Sequence, residues 1–158
     1  MLFRSDFGLK IDSTAVTSGT TNDSFSTGSH TASEAGDLDY TAGLWGGACA
    51  SDGSVTLAAG DDKTCTITNT FKKPKLTLVK TVVNTGGGTK GANDFGLKID
   101  STAVTSGTTN DSFSTGSHTA SEAGDPDYTA GLWGGACASD GSVTLAAGDD
   151  KTCTITNT

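Results

Sequence analysis

Residues Asp6 to Thr70 recur as Asp94 to Thr158, and over those 65 aligned positions only Leu38 against Pro126 differs. A shift of 88 residues is longer than the repeats that stack into solenoids and suits one small independent domain. The chain must therefore fold as two bodies of one architecture. The fidelity of the copies also bears on function. An active site needs one copy with specialised loops, whereas a spacer gains reach by copying itself. Recent duplication of any gene is the bland alternative.

The copies differ in what precedes them. Before the second stands Phe71 to Asn93, FKKPKLTLVKTVVNTGGGTKGAN, whereas Met1 to Ser5 ahead of the first matches nothing in the corresponding stretch Thr89 to Asn93. The expected organisation is a repeat lacking its first strand over 1–70, a basic linker over 71–75 and a complete repeat over 76–158. Both ends are expected to be cut from a longer array. The lack of a visible signal peptide, membrane span or sorting motif then carries little weight.

Composition excludes some partners. The chain is rich in Gly, Ser and Thr, is only 6% aromatic and has a formal charge of −8, which argues against nucleic acid, whose phosphates call for a basic surface. The charge is uneven. Lys72, Lys73, Lys75, Lys80 and Lys90 give the segment 71–93 a formal +5, leaving −13 for the rest. A basic connector between acidic bodies suits head-to-tail docking of neighbouring copies. An ordinary solvated linker is the plainer reading.

The four cysteines form two equivalent pairs, Cys49 with Cys65 and Cys137 with Cys153, each with 15 intervening residues inside one copy. That spacing is too wide for a CxxC redox motif, and no His or further Cys is near enough to suggest zinc. One disulfide per domain is the economical reading, worth roughly 3 kcal/mol for a loop of this size in the chain-entropy model. It places the protein outside the cytosol, secreted or at a cell surface.

Local patterning is that of strands and turns. Phe95, Leu97 and Ile99 share one face; Val143, Leu145 and Ala147 share another; Cys153, Ile155 and Asn157 alternate with threonines. Tyr128, Ala130 and Leu132 form a further alternating set, with weaker strand signals near Val104 and Phe113. No segment has helical periodicity. Several short strands in about eighty residues predict an all-β, Ig-like antiparallel sandwich, twice over.

Three polar residues fall on faces that this patterning turns inward. In Leu76-Thr-Leu-Val-Lys-Thr-Val-Val83, Lys80 lies in line with Leu76, Leu78 and Val82. Asn157 is in line with Cys153 and Ile155, and Glu122 lies two residues beyond Ala120. A lone buried ammonium is costly, so it must lose its charge, find a partner or react. An amine, a carboxamide and a carboxyl together form a reactive set.

The order LTLVKTVVN, ASEAGDPDYTAG, TCTITNT resembles the collagen-adhesin B-type, SpaA-like repeats of bacterial surface proteins and pilins. That resemblance covers Leu76 to Thr158 and the first copy less its opening strand. It implies a prealbumin-like (transthyretin-like) β-sandwich and, as in many such repeats, a spontaneous Lys–Asn isopeptide bond assisted by a buried acid. Lys80 would supply the amine, Asn157 the acceptor, and Glu122 the proton shuttle. The Cys137–Cys153 pair departs from the pattern, since it already staples the last strand. In the first copy Glu34 and Asn69 match their counterparts but have no lysine strand, which leaves an edge open to strand donation from another chain.

The remaining signals have plain readings. His30 and His118 are expected to be surface or structural, and Trp45 and Trp133 to pack near the disulfides rather than form a sugar platform. Asp125, Asp127, Asp149 and Asp150 read as turn acids, lacking calcium-loop spacing. Asn22 and Asn110 head N-glycosylation sequons, a weak motif. No metal, cofactor or membrane insertion is expected, and no catalytic set of an enzyme appears. The leading function is a structural module of an extracellular stalk, adhesin or filament. An adhesive module binding a glycan or matrix protein is the alternative, and a hydrolase accessory domain a distant third.

Overall fold

Hydroxyl-bearing and β-branched residues alternate with apolar ones through both copies, and the chain forms strands of two to eight residues. The computed structural model describes residues 7–158, so Met1–Ser5 and Asp6, with which the repeat opens, lie outside the described residues. The chain divides after Lys72 into two units. Of the residues expected as linker, Phe71 ends the strand Asn69–Phe71 and Lys75 opens the strand Lys75–Val82.

The second unit is two four-stranded sheets. One has the order Thr109–Asn110, Lys75–Val82, Asp150–Asn157, Gly134–Gly135; the other Thr102–Ala103, Lys98–Ile99, Gly116–Ser121, Ser142–Leu145. Their apolar faces share one core, with Leu76, Leu78, Cys153 and Ile155 from the first and Ile99, Ala120, Val143 and Leu145 from the second. This is the expected sandwich. It has one exception to antiparallel pairing. Lys75–Val82 and Asp150–Asn157 run parallel, with Leu78 beside Cys153, Lys80 beside Ile155 and Val82 beside Asn157. The chain therefore enters and leaves this unit at opposite ends of one strand pair.

Three local expectations change. Phe95 does not open a strand but closes the 3₁₀ turn Ala92–Phe95, after which Gly96 is left-handed at φ 53°. Its face is as expected, because Phe95, Leu97 and Ile99 are all buried. Val104 and Phe113 lie outside the strands and pack on the core from loops. The set Tyr128, Ala130, Leu132 makes only an isolated bridge, Ala130 to Asn157, and Leu132 is 78% exposed. In the first unit the same residues do form a strand, Tyr40–Ala42, because Phe71 extends the last strand and pairs with Tyr40.

The first unit keeps one sheet, Thr14–Ala15, Lys10–Ile11, Gly28–Ser33, Ser54–Leu57. Its other sheet is in two pieces, Tyr40–Ala42 with Asn69–Phe71 and Gly46–Gly47 with Cys65–Thr66. Among the described residues no strand equivalent to Lys75–Val82 lies beside the last strand of this unit, which leaves one of its edges without a partner for its backbone groups. Burial follows suit. Leu97, Ile99, Leu145 and Cys153 are buried, while the identical Leu9, Ile11, Leu57 and Cys65 are only half-buried.

Candidate cross-link site and its supports

Strand alternation aims Lys80 into the second unit, where its side chain is 0% exposed. Its backbone N–H donates to Ser106 Oγ at 2.9 Å, which fixes the strand at this level. Glu122 follows directly on the strand Gly116–Ser121 and continues the inward face of His118 and Ala120. Its Oε2 pairs with Lys80 Nζ. Its Oε1 accepts from Asn157 Nδ2 at 2.9 Å. Asn157, at the end of the last strand, is 1% exposed. One buried carboxyl thus bridges the amine and the carboxamide, bringing together the three residues singled out in the sequence.

Two features of this site escape sequence reasoning. The Phe95 ring lies 4.3 Å from Lys80 Nζ, shielding it from water with a face that attracts a cation. Asn157 Oδ1 is buried without a partner. An unpaired buried acceptor costs about 1–3 kcal/mol. A half-turn of the amide would point Oδ1 at Glu122, the arrangement a protonated carboxyl favours, because it then donates to the oxygen. Phe95 was legible as a core residue; its role at the amine depends on the 3₁₀ turn, which carries no strong sequence signal.

The first unit holds the same site without the lysine. Asn69 Nδ2 donates to Glu34 Oε2 at 2.8 Å, while Glu34 Oε1 is buried with no partner. Its counterpart in the second unit is the oxygen that meets Lys80.

The supporting features repeat in both copies. Cys49–Cys65 and Cys137–Cys153 are disulfides with Cα separations of 5.0 and 5.1 Å, within the ordinary range. His118 is buried, with Nδ1 2.9 Å from Asp100 Oδ2 and Nε2 2.9 Å from the Ser114 carbonyl. Both ring nitrogens face acceptors, which favours the doubly protonated imidazolium. The hydrogen bond to Asp100 raises the His118 pKa above its ordinary value, and the same bond lowers that of Asp100. His30 and Asp12 repeat the pair. Trp133 packs on the core beside the disulfide. The acids serve turns: Asp149 accepts the Ala146 N–H at 2.8 Å and pairs with Lys151, and Asp125 accepts the Asp127 N–H at 3.0 Å. Asn110, in one sequon, is tied through its side chain to the Leu76 carbonyl, while Asn22 in the other is exposed.

The family model of the SpaA-type prealbumin-like fold domain matches residues 8–67 and again 72–155. The chain belongs to this family. Both prealbumin-like matches end at the equivalent residues Ile67 and Ile155. The second begins at Lys72, ahead of the strand Lys75–Val82, and the first at Gly8, whose equivalent Gly96 comes after that strand. No curated protein and no solved structure matches the chain. Prealbumin-like domains of this type are structural modules, and the two disulfides fit that role.

Proposed function

We propose that the chain is a load-bearing tandem module of an extracellular stalk, surface adhesin or filament, and that its second unit ties itself shut with an isopeptide bond from Lys80 to Asn157. What carries this is the buried bridge of Glu122 between Lys80 Nζ and Asn157 Nδ2. Structural cores rarely enclose an amine, a carboxyl and an amide together, because an ion pair out of water seldom recovers its desolvation.

The enclosed ion pair has an exit. Proton transfer from Lys80 to Glu122 leaves a neutral amine and a neutral acid. The acid then polarises the Asn157 carbonyl, the amine attacks Cγ, and Glu122 gives its proton to the departing Nδ2 and takes up the second proton that Nζ sheds. The Nζ–Cγ bond forms, the Cγ–Nδ2 bond breaks, and ammonia leaves. Folding supplies the positioning that free lysine and asparagine lack in solution. This is one self-modification per domain, with no turnover.

The parallel strand pair gives the bond its mechanical sense. A pull on the chain enters at Lys75 and leaves at Thr158, shearing the two strands in opposite directions. A bond from Lys80 to Asn157 would carry that load past everything between residues 81 and 156. The expected result in intact mass is a deficit of one ammonia per chain beyond the hydrogens lost to two disulfides. A mass with no such deficit would reject the covalent tie. Beads at regular spacing in images of the assembled protein would support the stalk; uniform single particles that bind a glycan array would support the adhesive alternative.

A further inference from the structure

The two copies differ at one aligned position, Leu38 against Pro126, and in both copies that position follows an aspartate held in the same way. Asp125 Oδ1 accepts the Asp127 N–H at 3.0 Å, and the Asp125 carbonyl accepts the Tyr128 N–H at 3.2 Å. Asp37 makes the same two contacts with Asp39 and Tyr40, at 2.8 and 3.3 Å. Each turn folds a carboxyl back over the peptide bond that follows it. The bonds themselves are unlike. After Asp37 comes an ordinary secondary amide. After Asp125 comes proline, whose nitrogen carries no hydrogen and which, once protonated, leaves as a secondary amine more readily than an ordinary amide nitrogen. The second turn also has a cation at its carboxyl. Lys90 Nζ lies 3.4 Å from Asp125 Oδ2, whose side chain is only 17% exposed. A ring of hydrogen bonds holds Lys90 there: its N–H donates to Tyr128 Oη at 3.1 Å, Tyr128 Oη donates to Asn84 Oδ1 at 2.6 Å, and Asn84 Nδ2 donates to the Lys90 carbonyl at 3.1 Å. At the first turn Lys72 donates instead to the Leu38 carbonyl, at 2.9 Å.

We infer that Asp125–Pro126 is a self-cleaving peptide bond whose acyl group passes to Lys90. A carboxylate oxygen of Asp125 attacks its own main-chain carbonyl carbon and closes a succinic-type cyclic anhydride. The Tyr128 N–H, already on that carbonyl oxygen, stabilises the charge that develops there. The carbon–nitrogen bond to Pro126 breaks, and a proton of the Lys90 ammonium goes to the proline nitrogen. Lys90 is then a neutral amine beside an anhydride. Its Nζ attacks one anhydride carbonyl, the ring carbon–oxygen bond breaks to release a carboxylate, and the proton that Nζ sheds goes to the new Pro126 terminus. One amide is exchanged for another, so the total mass is unchanged. The turn supplies what a flexible Asp–Pro pair lacks, because nucleophile and amine are already together. The strands beyond the cut, Gly134–Gly135, Ser142–Leu145 and Asp150–Asn157, are paired into both sheets of the second unit, so the sandwich survives the scission. The site uses neither Lys80, Glu122 nor Asn157, and a Lys80–Asn157 bond would keep the two pieces joined.

The test incubates the whole chain in mildly acidic and in neutral buffer, then denatures and reduces it for mass analysis and peptide mapping. A new amino terminus at Pro126 is expected. The piece ending at Asp125 should be lighter by one water than its plain hydrolysis product, with a branch at Lys90. Asp37–Leu38 in the same chain should stay whole, and the folded chain should be cut faster than the chain in denaturant. Pro126→Leu, which gives the second turn the sequence of the first, should lose the scission, and so should Asp125→Ala. Lys90→Gln should lose the branch. A chain still whole at Asp125–Pro126 after prolonged incubation overturns the site, as does scission that survives Asp125→Ala. Equal rates with and without denaturant reduce it to the ordinary acid lability of an Asp–Pro bond and overturn the role of the turn. Scission that yields only the hydrolysed piece overturns capture by Lys90. The ammonia deficit expected from Lys80 and Asn157 is read on fresh chain, and scission neither makes nor removes it, so failure there is distinguishable from failure here.

Discussion

Glu122 holds the site together, since Lys80 Nζ and Asn157 Nδ2 both reach it. Replacing it by Ala would strand a buried ammonium, a loss of about 3–5 kcal/mol for a broken buried pair. Glu122→Ala is therefore expected to lower the thermal midpoint of the second unit and to prevent loss of ammonia. Lys80→Ala should also prevent that loss, without leaving an enclosed charge on the lysine side. Alternation in the sequence is enough to place all three residues inward, because a period of two leaves little freedom once one face is apolar. What alternation cannot supply is Phe95 over the amine or Ser106 on the strand edge. Those contacts come from a short turn and a loop, whose courses are set by packing rather than local pattern. A second residue-scale expectation concerns pH. His118 has its pKa raised by Asp100, so its contribution is fully present below about pH 6.5 and is lost as pH rises through the raised value. Asp100 has its pKa lowered, so its contribution holds above about pH 4 and is lost as pH falls through the lowered value. Stability from the pair should therefore be greatest between those values and decline toward alkaline pH. His118→Gln, followed by denaturant midpoints from pH 5 to 9, should flatten that decline in the second unit.

Among the described residues, the strand Lys75–Val82 lies beside the last strand of the second unit and has no counterpart in the first. With it, the last strand is continuous from Asp150 to Asn157; without it, the same sequence yields Cys65–Thr66 and Asn69–Phe71. Amide exchange in Cys65–Asn69 is expected to be faster than in Cys153–Asn157, and equal protection would contradict the account. Leu78→Ala should cost about 2–5 kcal/mol, as for other large-to-small changes in a closed core, and should leave the first unit's transition unmoved. Gly141 offers another element-scale test. It has φ +86°, and a Cβ there would collide with the Ala120 carbonyl and lie 3.2 Å from the Trp133 ring. Gly141→Ala should destabilise the second unit, and Gly53→Ala the first, since Gly53 meets Ala32 and Trp45 in the same way. The strand faces of both sheets were legible from alternation alone. Tyr128–Leu132 was not, because its course depends on partners far along the chain. Its copy becomes a strand only where Phe71 extends the neighbour. The parallel pairing of first and last strands was also hidden, since pattern fixes which face is buried but says nothing of direction.

Two bodies of nearly identical sequence and unequal completeness should unfold separately. Calorimetry is expected to show the first unit melting below the second, with reduction of the disulfides lowering both and each bridge worth about 3 kcal/mol. Internal repetition and strand alternation made the twice-repeated β-sandwich legible in the sequence, whereas the half-buried core of the first unit was not, because it depends on which strands pair. Among the described residues the second unit has a closed core and the first a half-buried one, and the strand bearing Lys80 belongs to the second. Everything proposed for load-bearing rests on what that lysine becomes. The most direct measurement is intact mass followed by proteolytic mapping of the unreduced and reduced chain. The account predicts a deficit of one ammonia and a branched peptide joining the segment around Lys80 to the segment ending at Asn157, both abolished by Lys80→Ala. A chain of full mass, or a Lys80→Ala variant that still loses ammonia, would contradict it.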